Sequence, residues 1–140
     1  MKALYILLIF LSSVVSASSS AVEAKIYNSI FSAIFPEKPI VRVWVDERAK
    51  REILAKVKNI KLVSFQKDAD ICLVLKSKDI DTEKLTFVGS YTLLKYYKES
   101  TIGGFFWQKG RPNILFLKRN LEKHDIQLPK KFSRYIENEL

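Results

Sequence analysis

The stretch Gly103–Lys118, GGFFWQKGRPNILFLK, holds three of the chain's four glycines and one of its two tryptophans. A hairpin with one wet face alternates apolar and polar residues. Here both halves are apolar at nearly every position, so both faces of the ribbon must be covered. Lys109-Gly110-Arg111-Pro112 reads as the connection between two strands. With Gln108 opposite Asn113, Trp107 pairs with Ile114 and Phe105 with Phe116 on one face. Phe106, Leu115 and Leu117 then fill the other face, and Gly104 lies opposite Leu117. Loss of the side chain at both Gly103 and Gly104 points to close packing by another backbone, a bulge or a bound group. Burial of Phe105 and Trp107 is worth about 2–3 kcal/mol each, which makes the hairpin central to stability.

Outward from the hairpin, the chain alternates helix and strand patterns. Ser20-Ala21-Val22-Glu23 has the form of a capping box, and Val22, Ile26, Ile30 and Ala33 with Tyr27, Phe31 and Ile34 continue as a broad apolar stripe that Pro36 ends. Ile40 to Val45 is a β-branched strand. Asp46 follows as an N-cap for a helix with Ala49, Ile53, Leu54 and Val57 on one face. Ile60 to Phe65, Ile71 to Leu75 and Thr86 to Gly89 read as further strands, Tyr91 to Glu99 as a short helix, and Pro129 as the start of a last one. The expected fold is α/β, a single domain with a mixed β-sheet flanked by helices and an antiparallel C-terminal hairpin.

MKALYILLIFLSSVVSA, residues 1–17, has one lysine, an apolar centre and small residues at Val15 and Ala17. This is the form of an export signal cleaved after Ala17, leaving a domain over 18–140, and it implies a periplasmic location. The apolar run is short for a membrane-spanning anchor. A formal net charge of +9 suits anionic lipid headgroups or an acidic partner as well as plain solubility, and nucleic acid is not expected outside the cytoplasm. The single cysteine, Cys72, rules out an internal disulfide, and its place in Ile71-Cys72-Leu73-Val74-Leu75 marks it as a buried thiol. Stability must then come from apolar burial.

Catalytic patterns are missing. The one histidine, His124, cannot build a His-based metal site. No phosphate-binding glycine loop and no nucleophile elbow occur. Asp79-Ile80-Asp81-Thr82-Glu83 lacks the glycine and the closing acid of a calcium loop, and reads as a solvated turn. The expectation is a protein that is not an enzyme and uses no metal or cofactor.

In the order of its features the chain resembles the YfiR-like (HmsC-like) periplasmic regulators. The matching pieces are Ala24-Lys25-Ile26-Tyr27-Asn28, Ile34-Phe35-Pro36, and Gly103-Gly104-Phe105-Phe106-Trp107 through Ile114-Leu115-Phe116 to Asn120-Leu121. Phe35 stands where the family pattern has tryptophan, and Cys72 cannot supply the paired cysteines that some members use. The resemblance implies a regulator of cyclic-di-GMP signalling and biofilm formation that binds and represses an inner-membrane diguanylate cyclase or related sensor. Gly103, Gly104, Phe105, Trp107 and Arg111 are the candidates for partner or ligand contact. Phe106, Ile114, Leu115, Phe116, Leu117 and Cys72 are assigned to the core. A membrane-surface position and a homodimer are compatible with this reading. The alternative is a periplasmic module that binds a small solute in an aromatic pocket near Trp44 or Trp107.

Overall fold

Alternation in Val41-Arg42-Val43-Trp44-Val45 places three valines on one face, and this run forms strand β1 (Val41–Val45), with all three valines buried. The computed structural model describes residues 20–76 and 79–140. The expected export signal over 1–17 lies outside the described residues. Helix α1 (20–34) precedes β1, and α2 (Arg48–Leu54), β2 (Ile60–Leu62), β3 (Ile71–Val74), β4 (Thr86–Val88) and α3 (Tyr91–Tyr96) follow. Then come β5 (Gly103–Gln108), β6 (Arg111–Leu117), α4 (Lys118–Lys123) and β7 (Ile136–Glu137), with a 3-10 turn at Lys130–Tyr135.

The strands form one seven-stranded sheet in the order β2-β1-β3-β4-β5-β6-β7. β2, β1, β3, β4 and β5 run parallel, β6 returns antiparallel to β5, and β7 pairs parallel with β6. The expected single α/β domain with a mixed sheet and an antiparallel C-terminal hairpin is the observed architecture.

Each face of the sheet carries its own apolar layer. On one, Tyr27, Ile30, Phe31 and Ile34 of α1 pack with Leu54, Val43, Ile71, Leu73, Phe87, Phe105, Phe116 and Phe132. The aromatic members meet edge-on, Tyr27 with Phe105 at 5.1 Å and Phe116 with Phe132 at 5.9 Å between ring centroids. On the other face, Cys72, Val74, Val88 and Leu117 lie under Leu93 and Leu94 of α3 and Tyr97 at its C-terminal cap. The continuous apolar run in β3 is explained by this double coverage, since all four of its residues are buried.

The hairpin register differs from the expected one by two residues. Gln108 faces Arg111, Trp107 faces Pro112, Phe105 faces Ile114, Gly104 faces Leu115 and Gly103 faces Phe116. The cause lies in the turn. Lys109 (φ 52°) and Gly110 (φ 74°) are both left-handed, the signature of a two-residue type I′ turn, so Arg111 and Pro112 belong to the strand. A shift of two preserves side-chain parity. Phe105, Trp107, Ile114 and Phe116 therefore share a face as expected, although their partners change.

The backbone alternation of β6 follows from the bond in which the Leu117 N–H donates to the Ile102 carbonyl at 2.9 Å. Arg111, Asn113 and Leu115 then turn their N–H groups toward β5, while Pro112 and Ile114 face outward. β7 pairs only with Phe116 and Leu117.

Local expectations fail where a side chain finds a tertiary partner. Asp46 does not cap α2. Glu47 occupies that position without a side-chain bond, and the Asp46 carboxylate accepts instead from the Leu75 and Lys76 N–H groups at 2.7 and 3.1 Å. Glu23 is buried and pairs with Lys50 of α2 rather than closing a capping box. The segment after Pro129 forms a 3-10 turn and a two-residue strand in place of the expected helix. An unanticipated helix, α4, follows β6 directly. Its buried Asn120 donates to the carbonyls of Lys98 at 2.8 Å and Thr101 at 2.6 Å, tying α4 to the start of β5.

The expected periplasmic location is withdrawn as a correction. Among the described residues no helix is long and apolar enough to cross a membrane.

Candidate functional site

The glycines at the head of β5 are accounted for by backbone. A Cβ on Gly103 would run into the Leu115 carbonyl oxygen and come within 3.0 Å of Phe116 Cα. One on Gly104 would stand 3.0 Å from both Cγ2 and the carbonyl oxygen of Val88. Strands β4, β5 and β6 approach closely only because these side chains are missing. Gly103, Gly104 and Phe105 are all buried, so their assignment as partner or ligand contacts is corrected.

Burial falls away along the hairpin. Phe116, Leu117 and Cys72 are fully enclosed, Phe106, Ile114 and Leu115 are half-buried, and Arg111 is exposed. Trp107 is 43 % exposed, which corrects its reading as a core residue. With the turn two residues shorter than expected, Trp107 sits one pair from the hairpin's end. Its ring touches the core only at its inner edge, 5.8 Å from the Phe105 centroid.

Pleating divides the hairpin end into two surfaces. On the α3 side, Phe106, Gln108, Arg111 and Asn113 share a face. The Phe106 ring lies tilted, 6.0 Å between centroids, against Tyr91, itself 48 % exposed, and Lys95 Nζ lies 5.7 Å above the Tyr91 ring. On the α1 side, Trp107, Pro112 and Ile114 continue toward the 3-10 turn. There Arg134 lies 4.8 Å over the Tyr135 ring and donates to its hydroxyl at 2.6 Å, while Lys131 Nζ stands 5.3 Å over Phe132. A shallow cleft of about 280 Å³ between Ile26, Ile30, Ile114 and Tyr135 is rimmed by these two cations. Residues 100–121 contain no aspartate or glutamate. The arrangement can bind anionic groups beside exposed aromatic surface.

Sequence reasoning singled out Trp107 and Arg111 but missed Tyr91, Lys95, Lys131, Arg134 and Tyr135. Tyr91 and Lys95 lie in the expected helix outside its apolar face, and no short-range pattern links them to Phe106 in the following strand. The aromatic–cation run at Lys131-Phe132-Ser133-Arg134-Tyr135 is the one local signal that could have drawn attention.

The strand order reverses direction between β1 and β3, where open α/β sheets bind ligands beyond the carboxyl ends of their strands. In this chain the crevice is bridged by Asp46 and its bonds to the Leu75 and Lys76 amides. Among the described residues, the main surface clefts measure about 270–660 Å³, and neither Trp44 nor Trp107 lines them. Among the described residues no group of three or more histidine, cysteine, aspartate or glutamate side chains could hold a metal ion. Burial pushes the Cys72 thiol up to about 11, with Lys84 opposing and Asp81 adding to the shift. His124, at the end of α4, is held below the usual imidazole range by partial burial and by the Lys123 charge.

No family model matches the chain, and no curated protein matches it.

Proposed function

We propose that the protein is a non-catalytic regulator that acts by direct binding and represses an inner-membrane diguanylate cyclase or a related sensor protein. The observation that carries this reading is the end of the β5–β6 hairpin, which leaves aromatic and cationic side chains exposed with no acidic residue across 100–121. The partner's natural seat is the α3-side face, where Phe106 and Tyr91 offer an apolar centre and Arg111 and Lys95 a cationic rim. An acidic surface with an apolar patch is complementary to it. The likeness of the Gly103–Leu121 region to the YfiR-like pattern supports a cyclase or sensor as that partner. The small-solute alternative has weaker support, because the Asp46 carboxylate at the sheet's switch-point crevice is already engaged by the Leu75 and Lys76 amides.

The test pairs capture with a cellular readout. Full-length protein is used as bait against detergent-solubilised membranes, and Arg111→Glu is expected to weaken capture of the cyclase about tenfold or more by charge reversal while leaving the melt unchanged. Deletion of the gene is expected to raise cellular cyclic-di-GMP. Unchanged cyclic-di-GMP in the deletion strain overturns the proposal.

A further inference from the structure

We infer that the α1-side face of the hairpin end, with Trp107 at its apex, docks onto the surface of an anionic lipid bilayer. This surface is separate from the Phe106–Tyr91 face assigned to a protein partner. Its end projects beyond the clefts. A side chain added at Gly110 would meet nothing within 4 Å, so the turn beside Trp107 projects into open space. A projecting indole needs a deformable partner, and the headgroup layer is one in which tryptophan settles with its ring among the upper acyl carbons and its N–H among polar groups.

The charges around this face complete the match. Lys131 and Arg134 are exposed, and neither takes part in any ion pair formed among the described residues. Aromatic rings hold both cations at the rim of the Ile26–Ile114 cleft instead. Lys25 joins Lys131 along the next cleft, and Lys109 lies in the turn itself. Guanidinium and ammonium groups around an apolar strip formed by Trp107, Pro112 and Ile114 are the counterpart of phosphodiester headgroups over acyl chains. Each cation brought to such a surface raises partitioning by a factor of about five.

The experiment uses the full chain in a Trp44→Phe background, so that tryptophan emission reports Trp107 alone. Vesicles of phosphatidylcholine are compared with vesicles of phosphatidylcholine and phosphatidylglycerol in equal parts. A blue shift of Trp107 emission is expected on the mixed vesicles only. The double reversal Lys131→Glu/Arg134→Glu is expected to lower the partition coefficient more than tenfold. Arg111→Glu, on the opposite face, is expected to lower it less than the double reversal does. Residues 1–17 are the same in every variant, and retention through their apolar run does not need lipid charge, so the phosphatidylcholine vesicles measure it and it is subtracted. If the double reversal does not fold, Lys131→Gln/Arg134→Gln and a salt titration of the parent chain provide the same comparison. Unshifted Trp107 emission on the mixed vesicles overturns the inference, as does equal partitioning of parent and reversal. Competition by inorganic phosphate at matched ionic strength overturns it in favour of a soluble-anion site. A double reversal that abolishes protein capture but not vesicle binding overturns it in favour of a protein interface.

Discussion

Gly103 and the Leu115 carbonyl oxygen face each other across a gap with no room for a methyl group. Gly103→Ala must part β5 from β6 or twist the strand, and overpacking of this kind costs about 1–3 kcal/mol, here at the upper end because the obstacle is backbone. Gly110→Ala meets no obstacle but keeps a left-handed backbone, so about 1–2 kcal/mol is expected from conformation alone. Urea unfolding of the two variants checks the order. An alanine at 103 as stable as the parent chain contradicts the close approach.

Trp107 and Phe105 lie on one face but at different depths. Phe105→Ala is expected to lose about 3–5 kcal/mol, since a ring enclosed by Tyr27 and its neighbours leaves a cavity. Trp107→Ala is expected to lose under about 1 kcal/mol, as exposed positions usually do. Paired thermal melts decide this. Equal losses would place the indole back in the core.

Cys72 combines complete burial with a thiol pKa of about 11. The thiolate is the reactive form, so iodoacetamide at pH 8 is expected to leave native protein unmodified and to label it fully in denaturant. Mass spectrometry reads both states. Native labelling at the rate of a free thiol would show that the sheet opens on the α3 side far more readily than its packing implies.

Asp70 supplies the pH dependence. Burial alone would raise its pKa, but the Arg42 amide (2.8 Å) and guanidinium (3.2 Å) and the Lys38 ammonium (3.4 Å) outweigh burial and hold the carboxyl below its ordinary range. A depressed carboxyl stabilises the fold above its unfolded pKa of about 4, and the contribution is lost as pH falls through the folded value. Asp70→Asn is therefore expected to lower stability at neutral pH and to flatten its fall below pH about 4. A parallel pH profile for the variant would remove Asp70 as the cause.

What was legible in the chain, and what was not, divides along the range of the interactions. The double-faced hydrophobicity of β3 and of the hairpin announced a covered sheet, because burial on both sides leaves no polar alternation. Side-chain parity in the hairpin was legible for the same reason. Its register was not, since Lys109 adopts a left-handed conformation that its identity does not advertise, and Arg111 and Pro112 look like turn residues while serving as strand. Asp46 and Glu23 carry strong local capping signals, yet each turns to a partner more than twenty residues away. The two faces of the hairpin end required Tyr91 and Tyr135 to be brought to Phe106 and Ile114, which only the closed sheet accomplishes.

Pro112 has a bearing on behaviour at high concentration. β7 covers just the last two residues of β6, so among the described residues a length of strand stays unpaired at the sheet's margin. Were residue 112 any other amino acid, that margin would present two outward donors in register, enough for an extended segment of another chain to anneal. Proline leaves Ile114 with the lone donor there, so an incoming strand forfeits one of its ladder hydrogen bonds and is held less firmly in line. Replacing it would ease edge-to-edge growth of the sheet, and with it the fibrous aggregation of concentrated protein.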